Sequence, residues 1–276
     1  MKVVLFCGGL GLRLREHAES LPKPMVTVGY RPILWHVMKY YAHHGHKDFV
    51  LCLGYRADAI KEYFLAYDEA ISNDFVLSDG GRSLQLLSND ITDWRITFAD
   101  TGLHASIGER LRAVRRYLAD EEMFLASYSD CVTDAPLPDL IDNFRRRGVI
   151  GSFLSVRPTV PGQFVSQRED GLVTSLTPAS TSGLWVNGGY FMFRRGIFDY
   201  IREGEELVEQ PFQRLISDRQ LLTHPYAGFW APMDTLRERQ ELETLYAAGQ
   251  APWAVWESAR PANAPIAALT GRPGPG

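Results

Sequence analysis

Cysteine is scarce in this chain, with only Cys7, Cys52 and Cys131 among 276 residues. Their odd number and wide spacing do not read as a disulfide framework and favour a reducing compartment. Long apolar runs are also missing. None approaches the roughly 20 residues that cross a bilayer, and the N-terminus lacks the apolar core and small-residue cleavage site of a signal peptide. A cytoplasmic location without a membrane partner is therefore expected. Nor is there an excess of charge of one sign. The 29 Lys and Arg against 33 Asp and Glu leave a net charge of -4, so no nucleic-acid partner is expected from bulk electrostatics.

Two common phosphate loops are absent too. The chain opens with KVVLFCGGLGLRLREH, Lys2 to His17. A dinucleotide fingerprint would need a glycine at position 14, where leucine stands, and the Walker A pattern does not occur. What is present is an apolar run, Val3 to Cys7, that stops at Gly8, Gly9 and Gly11 and is followed by Arg13 and, in PKPM, by Lys23. Glycines let backbone N–H groups approach a ligand without a Cβ in the way. Arginine forks onto phosphate oxygens, whereas lysine offers a point charge, here between two stiffening prolines. Read alone, the loop is in the first place a strand-to-helix turn with two solvated cations.

The pattern along the chain is mainly βα. Val3–Cys7 suits a buried parallel strand. Pro32 opens a helix, ILWHVMKYYAHHG, with Ile33, Leu34, Val37, Met38 and Tyr41 on one face. DFVLCLGY reads as a strand and ADAIKEYFLAY as a helix. Between residues 74 and 102, DFVLS, SLQLL and WRITFAD read as antiparallel strands or an insertion. SIGERLRAVRRYL is an amphipathic helix, MFLASYSD a strand ending in an acid, and PLPDLIDNFRRRG a further helix. After residue 150 the pieces are shorter and richer in β-type residues, with helices near Leu207–Ser217 and over LRERQELETLYAAG. The order predicts an α/β fold: a Rossmann-like, mostly parallel sheet flanked by helices, with a smaller β-rich subregion. One domain over 1–257 is expected, followed by a flexible tail, 258–276, rich in Pro, Ala and Gly. HHGH at a helix end lacks a cysteine partner and is not read as a zinc site. Arg145 to Arg147 read as a solvated helix end.

GGLGLRL followed by KPM, then RPILWHVMKYYAHHGHKDFVLCLGY, WRITFADTG, LWVNGGYFMF, GFWAPMDTLRE and GQAPWAVWE, in that order, resembles the sugar-1-phosphate nucleotidyltransferases and, within them, the cytidylyltransferase subgroup. The resemblance implies a glycosyltransferase-A-like nucleotidyltransferase fold whose β-rich part faces the sugar. It implies transfer of a nucleotide, from CTP or another nucleoside triphosphate, to a sugar 1-phosphate or related phosphorylated acceptor, with release of pyrophosphate. Lys23, Arg13 and Asp130 are the implied catalytic residues. Phe6, Cys7, Gly8, Gly9, Leu10, Gly11, Gly108, Arg110 and Ser129 join Arg13 and Lys23 as the implied nucleotide-binding set. Asn187, Gly188 and Gly189 match the acceptor segment, Asp130 and Asp234 the magnesium ligands. A homo-oligomer is implied as well. From the residues alone, Asp234 reads first as a helix cap, SIGERL equally as an ordinary helix start, and Asn187–Gly189 as a bulge or turn. Asp100 and Asp134 read better as turn or capping residues.

Several residues depart from the family pattern. Leu12 stands for a phosphate-contacting threonine, Ser129 and Cys131 for glycines beside the aspartate, and Ile107 for a small polar residue. Val165 replaces the second glycine of G-x-F-G. The Glu-Lys-Pro that grips the sugar and its phosphate is missing, with Leu176 and Thr177 in those positions. Two readings stay open at this point: an active transferase with an altered acceptor, or a weak or inactive nucleotide-binding homologue that serves as a regulatory or partner-binding subunit.

Overall fold

The computed structural model describes residues 1–9, 21–159 and 162–257; the predicted tail, 258–276, lies outside them. The first strand, β1 (Val3–Phe6), is wholly buried, as its unbroken apolar run requires. A short ribbon follows, β2 (Thr27–Val28) and β3 (Arg31–Pro32). Pro32 then leads into helix α1 (Ile33–His43), buried on nearly every side rather than along one stripe. Next come β4 (Asp48–Leu53) and α2 (Ala57–Leu65), then an exposed antiparallel hairpin, β5 (Phe75–Ser78) and β6 (Ser83–Leu86). WRITFAD forms β7 (Arg95–Asp100).

After the capping box of Ser106 and Glu109, α3 runs over Ile107–Val114. β8 (Met123–Tyr128) and β9 (Cys131–Thr133) precede α4 (Leu137–Arg147), which ends at Gly148 in a left-handed conformation. The β-rich part holds β10 (Gly151–Val156), an exposed hairpin of β11 (Gln163–Gln167) and β12 (Val173–Pro178), and β13 (Val186–Arg194). It closes with α5 (Gln210–Ser217), β14 (Leu221–Tyr226), β15 (Trp230–Pro232) and α6 (Leu236–Ala247).

The main sheet has seven strands in the order β14-β10-β13-β8-β1-β4-β7. β1 lies parallel to β4 and β8, and β4 parallel to β7, while β13 alone runs against its neighbours. This is the expected mostly parallel α/β sheet. The expectation for WRITFAD needs correction: β7 is not antiparallel but extends the parallel edge, with Asp48 opposite Arg95. Its alternating pattern reflects one half-covered edge face rather than a hairpin.

Alternation along β1 divides the core. Val3, Leu5 and Cys7 face α1, α2, α4 and α6, and Val4 and Phe6 face α3 and α5. Each large apolar side chain so buried contributes about 1.5–3 kcal/mol. The chain between α2 and β7 is tied down by a buried carboxylate. Asp90 accepts from Lys39 at 2.9 Å, from the Tyr67 hydroxyl at 3.0 Å and from Ser72, with Arg31 at 3.7 Å.

The segment APWAVWE docks back on its own chain. Trp253 is 1 % exposed. It stacks on Phe229 and donates its indole N–H to His36 Nδ1 at 3.2 Å. His36 Nε2 lies 3.0 Å from the Val28 carbonyl. The ring is therefore neutral, donating through Nε2 and accepting at Nδ1, and burial lowers its pKa to about 4.

Truncating Trp253 to Ala should cost about 3–5 kcal/mol, whereas Leu65→Ala, at a side chain 86 % exposed, should stay within about 0.5 kcal/mol; thermal unfolding of the two variants checks this. For His36 the unfolded chain binds the proton first. Stability is then complete above the ordinary histidine pKa and is lost as pH falls from about 6.5 toward about 4. A melting-temperature series across that window should show the decline, with a shallower slope for His36→Gln.

Candidate active site

The C-terminal ends of the parallel strands are where open α/β sheets bind ligands. Here β1 ends at Phe6, β8 ends at Tyr128, and the chain turns through Ser129 and Asp130 into β9. The Ser129 hydroxyl donates to the Phe6 carbonyl at 2.8 Å and joins the two strand ends. β9 pairs antiparallel with β15, with Cys131 opposite Pro232, and Met233 N–H donates to the Asp130 carbonyl at 2.8 Å. That register brings Asp130 beside Asp234 although more than a hundred residues separate them. Asp234 is not the helix cap that the sequence suggested. The cap is Thr235, which forms a capping box with Glu238, and the Asp234 carboxylate turns toward Lys23 instead.

Lys23 opens a single 3₁₀ turn, Lys23–Met25, held between Pro22 and Pro24. Its ammonium lies 2.5 Å from Asp130 Oδ2 and also contacts Asp234 Oδ1. The two carboxylates are thus separated by one shared cation. Burial opposes the lysine charge, yet Asp130 and Asp234 outweigh it and hold the pKa above its ordinary value. The group stays protonated at any physiological pH.

These three side chains stand in a cavity of about 560 Å³. Of the nucleotide-binding residues predicted from sequence, Phe6, Cys7, Gly9, Lys23 and Ser129 line it, and so does Asn187 from the acceptor set. Leu10, Gly11, Leu12 and Arg13 lie outside the described residues. Ile107, Tyr128 and Trp230 complete the apolar walls. The sequence reading assigned no role to Tyr128 or Trp230. The available signal was an aromatic residue two positions before one acid and four before the other.

Several expectations need correction. Arg110 does not face the cavity. It is 3 % exposed, and its guanidinium donates to the carbonyls of Gly8, Leu53, Gly102 and Leu103 and to the Thr101 hydroxyl, at 2.8–3.3 Å. This explains Gly8, where a Cβ would meet the guanidinium at 2.0 Å. What approaches that glycine is the protein's own arginine. Gly108 is likewise a packing residue, since a Cβ there would lie 2.3 Å from the Glu205 carbonyl. The start of α3 already has its anion: Glu206 accepts from Ile107 N–H at 3.2 Å.

In the acceptor segment, Asn187 Oδ1 accepts from Gly189 N–H at 2.9 Å across an irregularity in the pairing of β10 with β13. Gly189 has φ +76°, and a Cβ would strike the Tyr128 ring. Neither Gly188 nor Gly189 lines the cavity, though the Gly188 carbonyl accepts the Trp230 indole N–H at 2.8 Å. Asp100 and Asp134 are structural, as expected. Asp100 accepts from Gly102 N–H, and Asp134 from Phe229 N–H and the Tyr226 hydroxyl. Leu176 and Thr177 belong to the exposed hairpin and line no part of the cavity.

The donor set suits a hard divalent ion. Two carboxylates converge, and such ions commonly take one or two carboxylates with substrate phosphates and water. The neighbouring thiols do not compete, because burial pushes Cys7 up to about 12 and raises Cys131 well above its ordinary value. Among the described residues no group of three or more His, Cys, Asp and Glu side chains is placed to hold a metal ion. The remaining ligands would have to be substrate and solvent oxygens.

The nucleotidyl transferase family model matches residues 2–231. The chain is 38% identical over 260 residues to a glucose-1-phosphate cytidylyltransferase of Salmonella typhi, and 37% identical to one of Salmonella typhimurium. Each alignment covers 93% of this chain and 100% of the relative. The fold is similar to that of HddC from Yersinia pseudotuberculosis complexed with GMP-PN, with a TM-score of 0.64, 16% identity, and coverage of 89% of this chain and 99% of that one.

Because Arg110 ties Gly8 to Leu53 and to Gly102 and Leu103, Arg110→Met should destabilise the protein by about 3 kcal/mol, since it leaves buried carbonyls without donors. Calorimetry should show the loss. Nucleotide binding should weaken at temperatures where the variant is still folded.

Proposed function

This chain belongs to the nucleotidyl transferase family, and on that premise we propose that it joins a cytidylyl group from CTP to a sugar 1-phosphate or closely related acceptor, with magnesium bound by Asp130 and Asp234. The observation that carries this reading is the convergence of Lys23, Asp130 and Asp234 in one cavity beside the glycine loop. Transfer of a nucleotide to a sugar 1-phosphate is the reaction of the family. The choice of CTP rests on the two Salmonella relatives.

In the reaction, an oxygen of the acceptor phosphate attacks the α-phosphorus, and the bond from that phosphorus to the oxygen bridging to the β-phosphorus breaks. Pyrophosphate leaves with the electron pair. The attacking oxygen is already ionised, so no general base is needed, and none of the residues lining the cavity is a histidine. The barrier is repulsion between two polyanions and the entropy of aligning them. Magnesium, when bound, would neutralise phosphate charge and polarise the phosphoryl oxygens. Lys23 supplies a cation from a proline-stiffened turn, and once a divalent ion takes its place between the carboxylates its ammonium is free to meet phosphate charge. Phe6, Ile107, Tyr128 and Trp230 limit water around the reacting groups and strengthen these interactions.

The test is pyrophosphate release, run with all four ribonucleoside triphosphates against a panel of sugar 1-phosphates. CTP should be preferred, and chelation of divalent ions should stop turnover. Asp130→Asn should lower kcat/KM by about 10²-fold or more. Because the Lys23 ammonium stands between the two carboxylates, a divalent ion must displace it. Lys23→Met should therefore lose turnover yet bind Mn²⁺ more tightly in the absence of nucleotide, measured by electron paramagnetic resonance. Unchanged Mn²⁺ affinity would count against a shared cation position.

A further inference from the structure

A second cavity, of about 470 Å³, shares Trp230 as a wall with the first. Its other walls include Val156, Pro158, Ala179 and Tyr226. Most polar groups around it are already engaged. The Trp230 indole N–H donates to the Gly188 carbonyl at 2.8 Å, and the Tyr226 hydroxyl donates to Asp134 at 2.5 Å.

Arg157 differs. It lines this cavity and not the first. Its guanidinium carbon lies 4.1 Å from the centre of the Trp185 ring, and its one hydrogen bond is a long one, 3.5 Å to the Leu184 carbonyl. Among the described residues no carboxylate pairs with it. An arginine stacked on an indole presents its edge N–H groups in the plane, the geometry that grips a carboxylate or phosphate. A largely apolar cavity with one such cation is built for a ligand carrying a single remote anion.

The first cavity already holds the machinery for the reacting phosphate, which must lie near Lys23. Arg157 is therefore placed for something else. The stretch that resembles the sugar-phosphate grip offers Leu176 and Thr177, neither of them a cation, and Ala179 forms part of the second cavity wall. A cation is missing in one place and present in another. We propose that the second cavity receives the distal end of the acceptor and that Arg157, steadied by Trp185, binds a second anionic group there. The acceptor class is then a sugar 1-phosphate bearing an additional phosphate or carboxylate. This inference rests on the transferase reading of the first cavity.

The experiment is isothermal titration of the full chain, without nucleotide, using glucose 1-phosphate, glucose 1,6-bisphosphate and glucuronic acid 1-phosphate. At least one of the two doubly anionic ligands should bind about tenfold or more tightly than glucose 1-phosphate, and which of them does distinguishes phosphate from carboxylate. Arg157→Gln should bring that ratio close to one, and Arg157→Lys should restore part of it, with melting temperatures near that of the parent. A ratio near one in the parent, a ratio unchanged in Arg157→Gln, or no binding of any of the three overturns the inference. An Arg157-dependent preference without pyrophosphate release from any nucleoside triphosphate would overturn the transferase reading and leave the anion site standing.

Discussion

One ammonium between two carboxylates organises this molecule's central cavity. Lys23 reaches Asp130 and Asp234 from a turn near the start of the chain. At ion-pair contact and an effective dielectric of about 20, each such attraction is worth several kcal/mol before the cost of removing the charges from water. Without the cation, two acids would face each other in a partly dry space. The contact therefore makes it tolerable to hold a pair of carboxylates together, one after β8 of the main sheet and the other after β15 of the antiparallel ribbon. It also ties three distant stretches of chain to one point, so that any ligand entering the cavity meets them together.

The scaffold around that contact is built from backbone geometry. The β9–β15 ribbon sets the spacing of the acids through its register, and the Ser129 hydroxyl fastens the end of β8 to the end of β1. The Gly8 carbonyl, just past β1, is held by Arg110, which is buried and satisfied by four carbonyls and a hydroxyl. Such a cation acts as a hub for turns that would otherwise lack hydrogen-bond donors. Glu206 plays the complementary part at the start of α3. Both devices keep polar groups satisfied just behind the cavity.

The two cavities divide the chemistry along Trp230. One side carries opposed charges, where a polyanion and a divalent ion can be neutralised. The other is mostly apolar, with a single arginine at hand. Lys23, Asp130 and Asp234 of the family motif are retained and line the first cavity, whereas Val165, Leu176 and Thr177 depart from the family pattern and line neither cavity.

Much of the fold was legible in one dimension, because the signals are local. The apolar run of β1, the glycine after α4 and the capping Ser106 all act within a few residues. The edge strand β7 was not legible as parallel, since direction depends on its partner and not on its own alternation. By itself the sequence determined the α/β order, the glycine loop and the family motif that singles out Lys23, Asp130 and Asp234. Only the tertiary structure decided that these three share one ion contact, that Arg110 and Gly108 serve packing, and that Arg157 is among the residues lining a separate cavity. The physical reason is that a charged side chain has no assigned partner until the chain closes on itself. Strand register and packing then decide which charges meet and which remain for a ligand.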